Sequence, residues 1–346
     1  MSSLTIVHVS AFPTGMRTAP HHSVEIKLTN GLIRLGHLVL NFSDRDVARG
    51  KSWTGSRKFG RRAVNVALIE FCRNHRPDVL LMGHADMIAP ETVAAIRDEI
   101  KNIRIGQWNV DPLFEPDNIK RIKNKLAVVD ATFITTAGVA LEGLRVGGHS
   151  ISFIPNPADV SIERGRVDLL RQPPFDLFYG CSHPSRPLRQ ICDRLWDMED
   201  FVSTLSGRIP QMNMKLAGMG GGQHLISASY QSALESSAIG LNISRRPDHY
   251  LYSSDRIAQL ASNGCVVAIE RSVGYGDYFG DDELLFFSDL DELIDKLARL
   301  IAEPDTRMRM ASAGRKRYLD IFNERSVAAH LLAVLSGARA PEEMPW

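Results

Sequence analysis

The chain has 346 residues, 44% of them hydrophobic, with a mean hydropathy of −0.12, the profile of a globular protein of about two domains at roughly 150 residues each. Its 41 Lys and Arg against 40 Asp and Glu leave a net charge of +1, so the basic surplus of a dedicated nucleic-acid binder is missing and no nucleic-acid partner is expected. Cys72, Cys181, Cys192 and Cys265 are scattered without Cys-x-x-Cys spacing, which speaks against a zinc or disulfide framework and for a reducing compartment.

Residues 1–10 lack the basic region, apolar core and small-residue cleavage site of a secretory signal. No apolar run approaches the roughly 18 residues of a membrane span, so a cytoplasmic protein is expected, touching a membrane only at its surface. The β-branched run 4–10 reads as a strand covered on both faces. A polar loop over 11–22 follows. Val24, Leu28, Leu32 and Leu35 then recur at helical spacing until Gly36 stops the helix, and 37–40 opens a second strand. A helix over 62–75 uses Val66, Ile69 and Phe71 among its apolar positions, and 79–82 is a buried strand ending at Gly83-His84. Helix 90–100, strand 103–108, a loop at 109–112 and strand 131–135 complete an alternating α/β series, the pattern of an open parallel sheet whose ligands lie beyond the strands' carboxyl ends.

The alternation breaks between 154 and 174, which reads as a linker. A second α/β series begins at 175–180 and continues through strands at 214–218, 239–243, 265–269 and 284–287. Helices fill 289–335, the second of them carrying a basic surface at Arg307, Arg309, Arg315, Lys316 and Arg317, and 338–346 is expected to fray. Two such series suggest a cleft between domains as the place for a small molecule.

Gly-x-Gly-x-x-Gly after the first strand, a Walker A loop, His-Glu-x-x-His and a nucleophile elbow are all missing, which removes the usual markers of hydride transfer, ATP hydrolysis, zinc peptidase and serine acyl-transfer chemistry. More informative is 250–268. Ser253, Ser254 and Asp255 suit a helix N-cap, Ile257, Leu260 and Ala261 give an apolar face, and Gly264 ends the helix before a buried strand. Free N–H groups at that start, with Arg256 beside them, suit a phosphate; a plain capped helix with a surface arginine is the equal alternative. Gly180, Arg186 and Arg189 after the first strand of the second series fit the other half of a pyrophosphate site, or a solvated basic turn.

These residues resemble a family. Gly36-His37-x-Val39, Arg76-Pro-Asp-Val79, Trp108-x-x-Asp111-Pro112, Tyr230-x-x-x-Leu234, Arg256-Ile-Ala-Gln-Leu-Ala-x-x-Gly264 and Ala311-x-Ala-Gly-Arg-x-Arg317 occur in an order similar to that of GT-B glycosyltransferases, closest to the CgeB-like (spore-maturation-type) branch of the glycosyl-transferase group 1 superfamily. The resemblance implies an α/β fold of two Rossmann-like domains with an interdomain cleft. The acceptor domain would be 1–158, joined by a helix crossing back at about 324–346, and the donor domain 173–323. It implies a UDP-, GDP- or dTDP-linked sugar as co-substrate, no metal or other cofactor, and a glycan, lipid-linked or protein acceptor in bacterial surface polysaccharide synthesis. The family's Gly-and-Arg loop falls on Gly180, Ser182 and Arg186, its phosphate-binding helix on Ser254, Arg256 and Gly264, and its ribose-gripping glutamate on Gln259. That departure keeps an altered donor and a binding-only module in view, and the shared two-domain cleft keeps a nucleotide-sugar epimerase as a further alternative.

In the first domain Asp111 and His84 each follow a strand, where a carboxylate or imidazole takes a proton from a sugar hydroxyl, or serves as an ordinary polar loop residue. Asp-x-Asp pairs are not expected at strand ends. Finally, 45–62 holds Arg45, Arg49, Lys51, Arg57, Lys58, Arg61 and Arg62 with Trp53 and Phe59 interleaved and Asp46 opposing, which suits anionic lipid headgroups or a phosphorylated acceptor, with a solvated loop the equal alternative.

Overall fold

A computed structural model describes residues 3–12, 21–145, 147–181 and 188–346. The chain forms two compact units, Met1–Pro157 with Glu324–Pro345, and Ala158–Asn323 with Trp346.

In the first unit the strands are β1 (Thr5–Ser10), β2 (Leu38–Ser43), β3 (Val79–Gly83), β4 (Arg104–Asn109), β5 (Ala131–Ile134) and β6 (Ile151–Phe153). They form one parallel sheet in the order β2-β1-β3-β4-β5-β6. Its helices are α1 (Val24–Arg34), α2 (Asp44–Gly50), α3 (Arg61–His75), α4 (Pro90–Glu99), α5 (Pro116–Lys123) and α6 (Val139–Glu142), together with the returning Glu324–Leu335. Alternate strand residues serve opposite faces. Val7, Val9, Leu80 and Ile105 pack with Val64, Leu68 and Cys72 of α3 and with Val93 and Ile96 of α4. On the other face a Cβ on Gly106 would lie 3.2 Å from Leu335 of the returning helix. Each fully buried aliphatic side chain contributes about 1.5–3 kcal/mol.

α3 packs Ile69 and Phe71 against the core as partly buried residues, but not Val66. Val64, Leu68 and Cys72 are its buried residues, whereas Val66 is 51% exposed. The i, i+4, i+8 row fits one sheet face, and Val66 lies across the helix from it. Strand β2, expected to open at 37–40, runs to Ser43, so Asp44-Arg45-Asp46 does follow a strand end. Its carboxylates serve the fold: Asp44 Oδ2 accepts from Met87 N at 3.3 Å, and Asp46 accepts from Arg49 at 2.7 Å and from Ser43 Oγ at 3.1 Å.

The second unit has a parallel sheet of β7 (Phe175–Gly180), β10 (Met214–Ala217), β11 (Ser237–Leu241), β12 (Val266–Glu270) and β13 (Leu285–Phe287) in the order β10-β7-β11-β12-β13. An antiparallel hairpin, β8 (Leu188–Ile191) and β9 (Arg194–Asp197), stands apart from it. The helices are α7 (Met198–Arg208), α8 (Ser227–Glu235), α9 (Arg256–Ser262), α10 (Leu290–Ala302) and α11 (Pro304–Ile321), and α12 is the returning Glu324–Leu335. Asp289 caps α10 by accepting from Glu292 N at 2.8 Å, and Leu293, Leu297 and Leu300 bury its apolar stripe.

Residues 158–172 pack within this unit: Gly165 N donates to Asn263 Oδ1 at 2.8 Å and Val167 N to Asn263 O at 3.1 Å. The expected basic surface of α11 is largely consumed. Arg307 is buried and donates to Leu170 O and Arg171 O, Arg315 to Ser262 O, and Arg317 to Tyr278 O. A guanidinium capping backbone carbonyls is a structural clamp. Nor is the end of the chain loose, since Arg145 donates to Pro341 O at 3.1 Å and the Trp346 ring sits 5.8 Å from Phe322.

Candidate functional site

At the carboxyl end of the first sheet, Gly83 and Trp108 are register partners. A Cβ on Gly83 would fall 1.9 Å from the Trp108 ring, so this strand end admits only glycine beside that indole. Trp108 Nε1 donates to His8 Nε2 at 3.0 Å. That leaves the imidazole hydrogen on Nδ1, which donates to Thr29 Oγ1 at 2.9 Å, and the Thr29 hydroxyl donates on to Asn41 Oδ1 at 3.1 Å. Burial pushes His8 down to about 3, so the ring stays neutral and the chain keeps one direction.

His84 follows with a left-handed backbone, φ 46°, and its ring meets the Trp108 edge at 5.7 Å. Asp111 is placed by an Asx turn, its N–H donating to Asn109 Oδ1 at 2.9 Å, while Asn118 Nδ2 donates to Asp111 O at 2.9 Å. The two expected acceptor-side residues thus come together, with His84 Nδ1 3.7 Å from Asp111 Oδ2. Arg121 donates to Asp111 Oδ2 at 2.7 Å, and Arg45 pairs with Asp86 at 2.8 Å.

Burial is the main force lowering the His84 pKa, opposed by Asp111 and Asp86. A neutral imidazole oriented by a carboxylate can take a proton. Arg121, Asp86 and Lys125, which line the same hollow, were not singled out by the sequence. No local motif marks them, because they meet only through strand register and the crossing of α5.

Asp44 is fully buried and its Oδ1 has no hydrogen-bond partner among the described residues. Burial raises its pKa to about 6, whereas His330, buried against Ser152, is lowered to about 4. The signs oppose. A raised carboxyl pKa means Asp44 stabilises the fold as pH falls through about 6, while His8 and His330 withdraw stability as pH falls below the histidine value of 6.5. Asp44→Asn is therefore expected to raise the urea midpoint at pH 7.5. Between about pH 6 and 4 it should steepen the loss of stability by roughly 1.4 kcal/mol per pH unit, one proton's worth. Unchanged slopes in both proteins would refute this.

In the second unit the corresponding sheet end gathers Tyr179 of β7, Asn242 and Ile243 after β11, and the start of α9. The Arg256 guanidinium lies 5.1 Å from the Tyr179 ring centre and donates to Ile243 O at 3.2 Å. Asn242 Nδ2 donates to Ser253 Oγ at 2.7 Å. Three buried polar atoms have no partner among the described residues, Tyr179 Oη, Asn242 Oδ1 and Ser254 Oγ. Such groups cost about 1–3 kcal/mol each when left unpaired, so their grouping beside an arginine marks a place for a polar ligand.

Gln259 is buried and committed on both sides: its Oε1 accepts from Tyr230 Oη at 2.8 Å and its Nε2 donates to Asp255 Oδ2 at 2.6 Å. The N-cap of α9 is Asp255, whose side chain makes no cap bond because Gln259 holds it. Gly180 ends β7 opposite Ala217. Gly264 does not join the group. It lies past the far end of α9 at φ 83°, where a Cβ would meet Asp168 Oδ1 at 2.5 Å, which makes it a packing glycine. Ser182 and Arg186 lie outside the described residues. Arg189, in β8, is mostly buried and donates to Leu188 O and to Cys181 Sγ.

Comparison with known proteins follows this division. A family model described as "Glycosyl transferase-like" matches residues 189–333. No curated protein sequence matches the chain. Among solved structures, the trehalose-6-phosphate synthase OtsA is similar at 13% identity and a TM-score of 0.59, over 96% of this chain and 99% of that one. Anabaena HepE in complex with UDP and glucose is similar at 11% identity and a TM-score of 0.55, over 96% and 100%. AviGT4, a glycosyltransferase involved in avilamycin A biosynthesis, is similar at 14% identity and a TM-score of 0.54, over 96% and 98%. What the chain shares with these structures is its architecture, and its fold is GT-B.

Proposed function

We propose that the chain is a glycosyltransferase that moves a sugar from a nucleotide-sugar donor to a glycan, lipid-linked or protein acceptor. The observation that carries this reading is the set of unpaired buried groups on Tyr179, Asn242 and Ser254 around Arg256. It lies at the carboxyl end of the second sheet, where open α/β sheets take their ligands, and Asn242, Ser254 and Arg256 fall inside the stretch similar to glycosyl transferases.

In this reading Arg256 faces the diphosphate and Gly180 borders it, and Ser182 and Arg186 are donor-binding candidates on the family resemblance alone. Ser254 and Asn242 supply hydrogen bonds, and protein cations neutralise the leaving phosphate without a metal. The His84–Asp111 pair activates the acceptor hydroxyl. The wider reading is a cytoplasmic enzyme of the CgeB-like branch, working in surface polysaccharide synthesis.

Thermal unfolding against UDP-, GDP- and dTDP-sugars tests it. A ligand at a hundred times its Kd adds about 2.7 kcal/mol, a shift of several degrees. A panel that leaves the midpoint unmoved would sink the proposal.

The Gln259 environment gives the departure from the family pattern a physical reason. A glutamate there would set a second carboxylate at hydrogen-bond distance from Asp255, which like-charge repulsion opposes. Gln259→Glu is expected to weaken donor protection, and adding Asp255→Asn to recover it. Donor hydrolysis or transfer by the wild-type chain separates an enzyme from a binding-only module, which would bind and never turn over.

A further inference from the structure

The basic stretch divides in two. Arg45 and Arg49 are spent inside the fold, on Asp86 and Asp46. Lys51, Arg57, Lys58, Arg61 and Arg62 are all exposed, no acidic residue occurs from 51 to 62, and none of the five meets a carboxylate among the described residues. Among them Trp53 is 95% and Phe59 70% exposed, and Val66 stands out of α3 one turn beyond Arg62.

The turns between them are pinned. Lys51 N donates to Val47 O at 2.9 Å and Gly55 N to Ser52 O at 3.0 Å. A Cβ on Gly60 would fall 1.7 Å from Ala48 O, so the loop closes against α2 at a point only glycine fits. Two large aromatic rings are thereby held in water, an arrangement that forgoes the free energy of burying them.

We propose that residues 51–66 dock the first unit on an anionic lipid surface, and that the acceptor handled at His84 and Asp111 is borne by that surface. Tryptophan favours the headgroup region, and each basic residue near an anionic leaflet strengthens binding about fivefold. Cations interleaved with projecting aromatics complement such a surface in both charge and polarity. Nucleic acid is the poorer fit, because the patch is confined to one loop and helix start of a chain whose net charge is only +1.

The loop is also tied to the acceptor side. It continues from α2, whose Asp44 holds Met87 N and whose Arg45 holds Asp86, three and two residues from His84. This second half of the proposal rests on the glycosyltransferase reading; the docking half stands without it.

The full chain is mixed with vesicles of phosphatidylcholine alone or with phosphatidylglycerol, and sedimented. Binding is expected only with phosphatidylglycerol, weakening steeply as salt rises above about 0.1 M. Arg57→Glu with Lys58→Glu should weaken it about 25-fold or more. Trp53→Ala should remove the fluorescence quenching that brominated lipid produces in the wild type. Both variants are surface changes, and an unchanged thermal midpoint certifies their folding. Equal binding to both vesicles, wild-type binding by the charge-reversed variant, or tighter binding to an RNA oligonucleotide overturns the docking. Label from a donor that protects the chain should then enter the solvent-extractable lipid of added bacterial membranes, and label confined to water-soluble products overturns the lipid-borne acceptor. Vesicle binding without any donor protection would instead overturn the glycosyltransferase reading alone.

Discussion

Asp111→Asn is expected to lower kcat by about 10²–10⁴-fold while leaving nucleotide-sugar protection at the wild-type level. General base catalysis contributes that range, and an amide can neither accept the hydroxyl proton nor stabilise an imidazolium that does. The substitution is nearly isosteric, and its backbone anchors, Asn109 Oδ1 and Asn118 Nδ2, do not involve the carboxylate. Arg121 keeps Asn118 Oδ1 as a partner at 3.2 Å. The pH profile gives an independent check. Burial holds the His84 pKa below the usual histidine value, so kcat/KM should be flat through neutrality and fall on the acid side as the imidazole charges. A loss under about tenfold, with that acid limb unmoved, removes the pair from the chemistry and leaves the departing phosphate as the base.

The second large effect concerns the donor. Arg256→Ala should weaken nucleotide-sugar binding by about 10–100-fold, the range of one hydrogen bond to a charged partner. Arg256→Lys should recover only part of it, since an ammonium lacks the planar fork that reaches Ile243 O from above the Tyr179 ring. Isothermal titration with the donor found by the panel reads both. Wild-type affinity in Arg256→Ala would place the diphosphate elsewhere. Asp111→Asn and Arg256→Ala also discriminate between sites: the first should change turnover with little change in donor affinity, whereas the second should weaken donor affinity and, because Arg256 faces the leaving phosphate, lower turnover with it.

Strand positions were legible because parallel strands buried on both faces leave continuous apolar runs, as in 4–10 and 265–269. The inward stripe of α3 was less so, since Val66 and Leu68 look alike in sequence and only the sheet's register selects between them. The hairpin of β8 and β9 carries no clear turn pair; its turn passes through Cys192 at φ 56°, a residue with no preference for that conformation.

Site residues divide the same way. His84 and Asp111 could be named because strand ends are recognisable, yet their partners Arg121 and Asp86 depend on how β3, β4 and α5 come together. Trp108 read as the end of a strand, while its bond to His8, a hundred residues away, has no sequence signature. The role of Gly264 was misplaced because a helix-ending glycine looks the same whether a ligand or Asp168 approaches it.

The return of α12 has a consequence for synthesis. Arg34 pairs with Glu324 at 2.6 Å, and a Cβ on Gly31 would fall 2.2 Å from the Glu324 carbonyl oxygen, so one wall of the first unit is built from residues made after the intervening segment 158–323. Ala158 and Asn323 are bridged where the intervening unit begins and ends. As the polypeptide leaves the ribosome, the segment begun second is the first whose parts are all present. The earlier-made sheet waits with an apolar face uncovered until the closing helix emerges, and that interval is when a holding chaperone has most to bind.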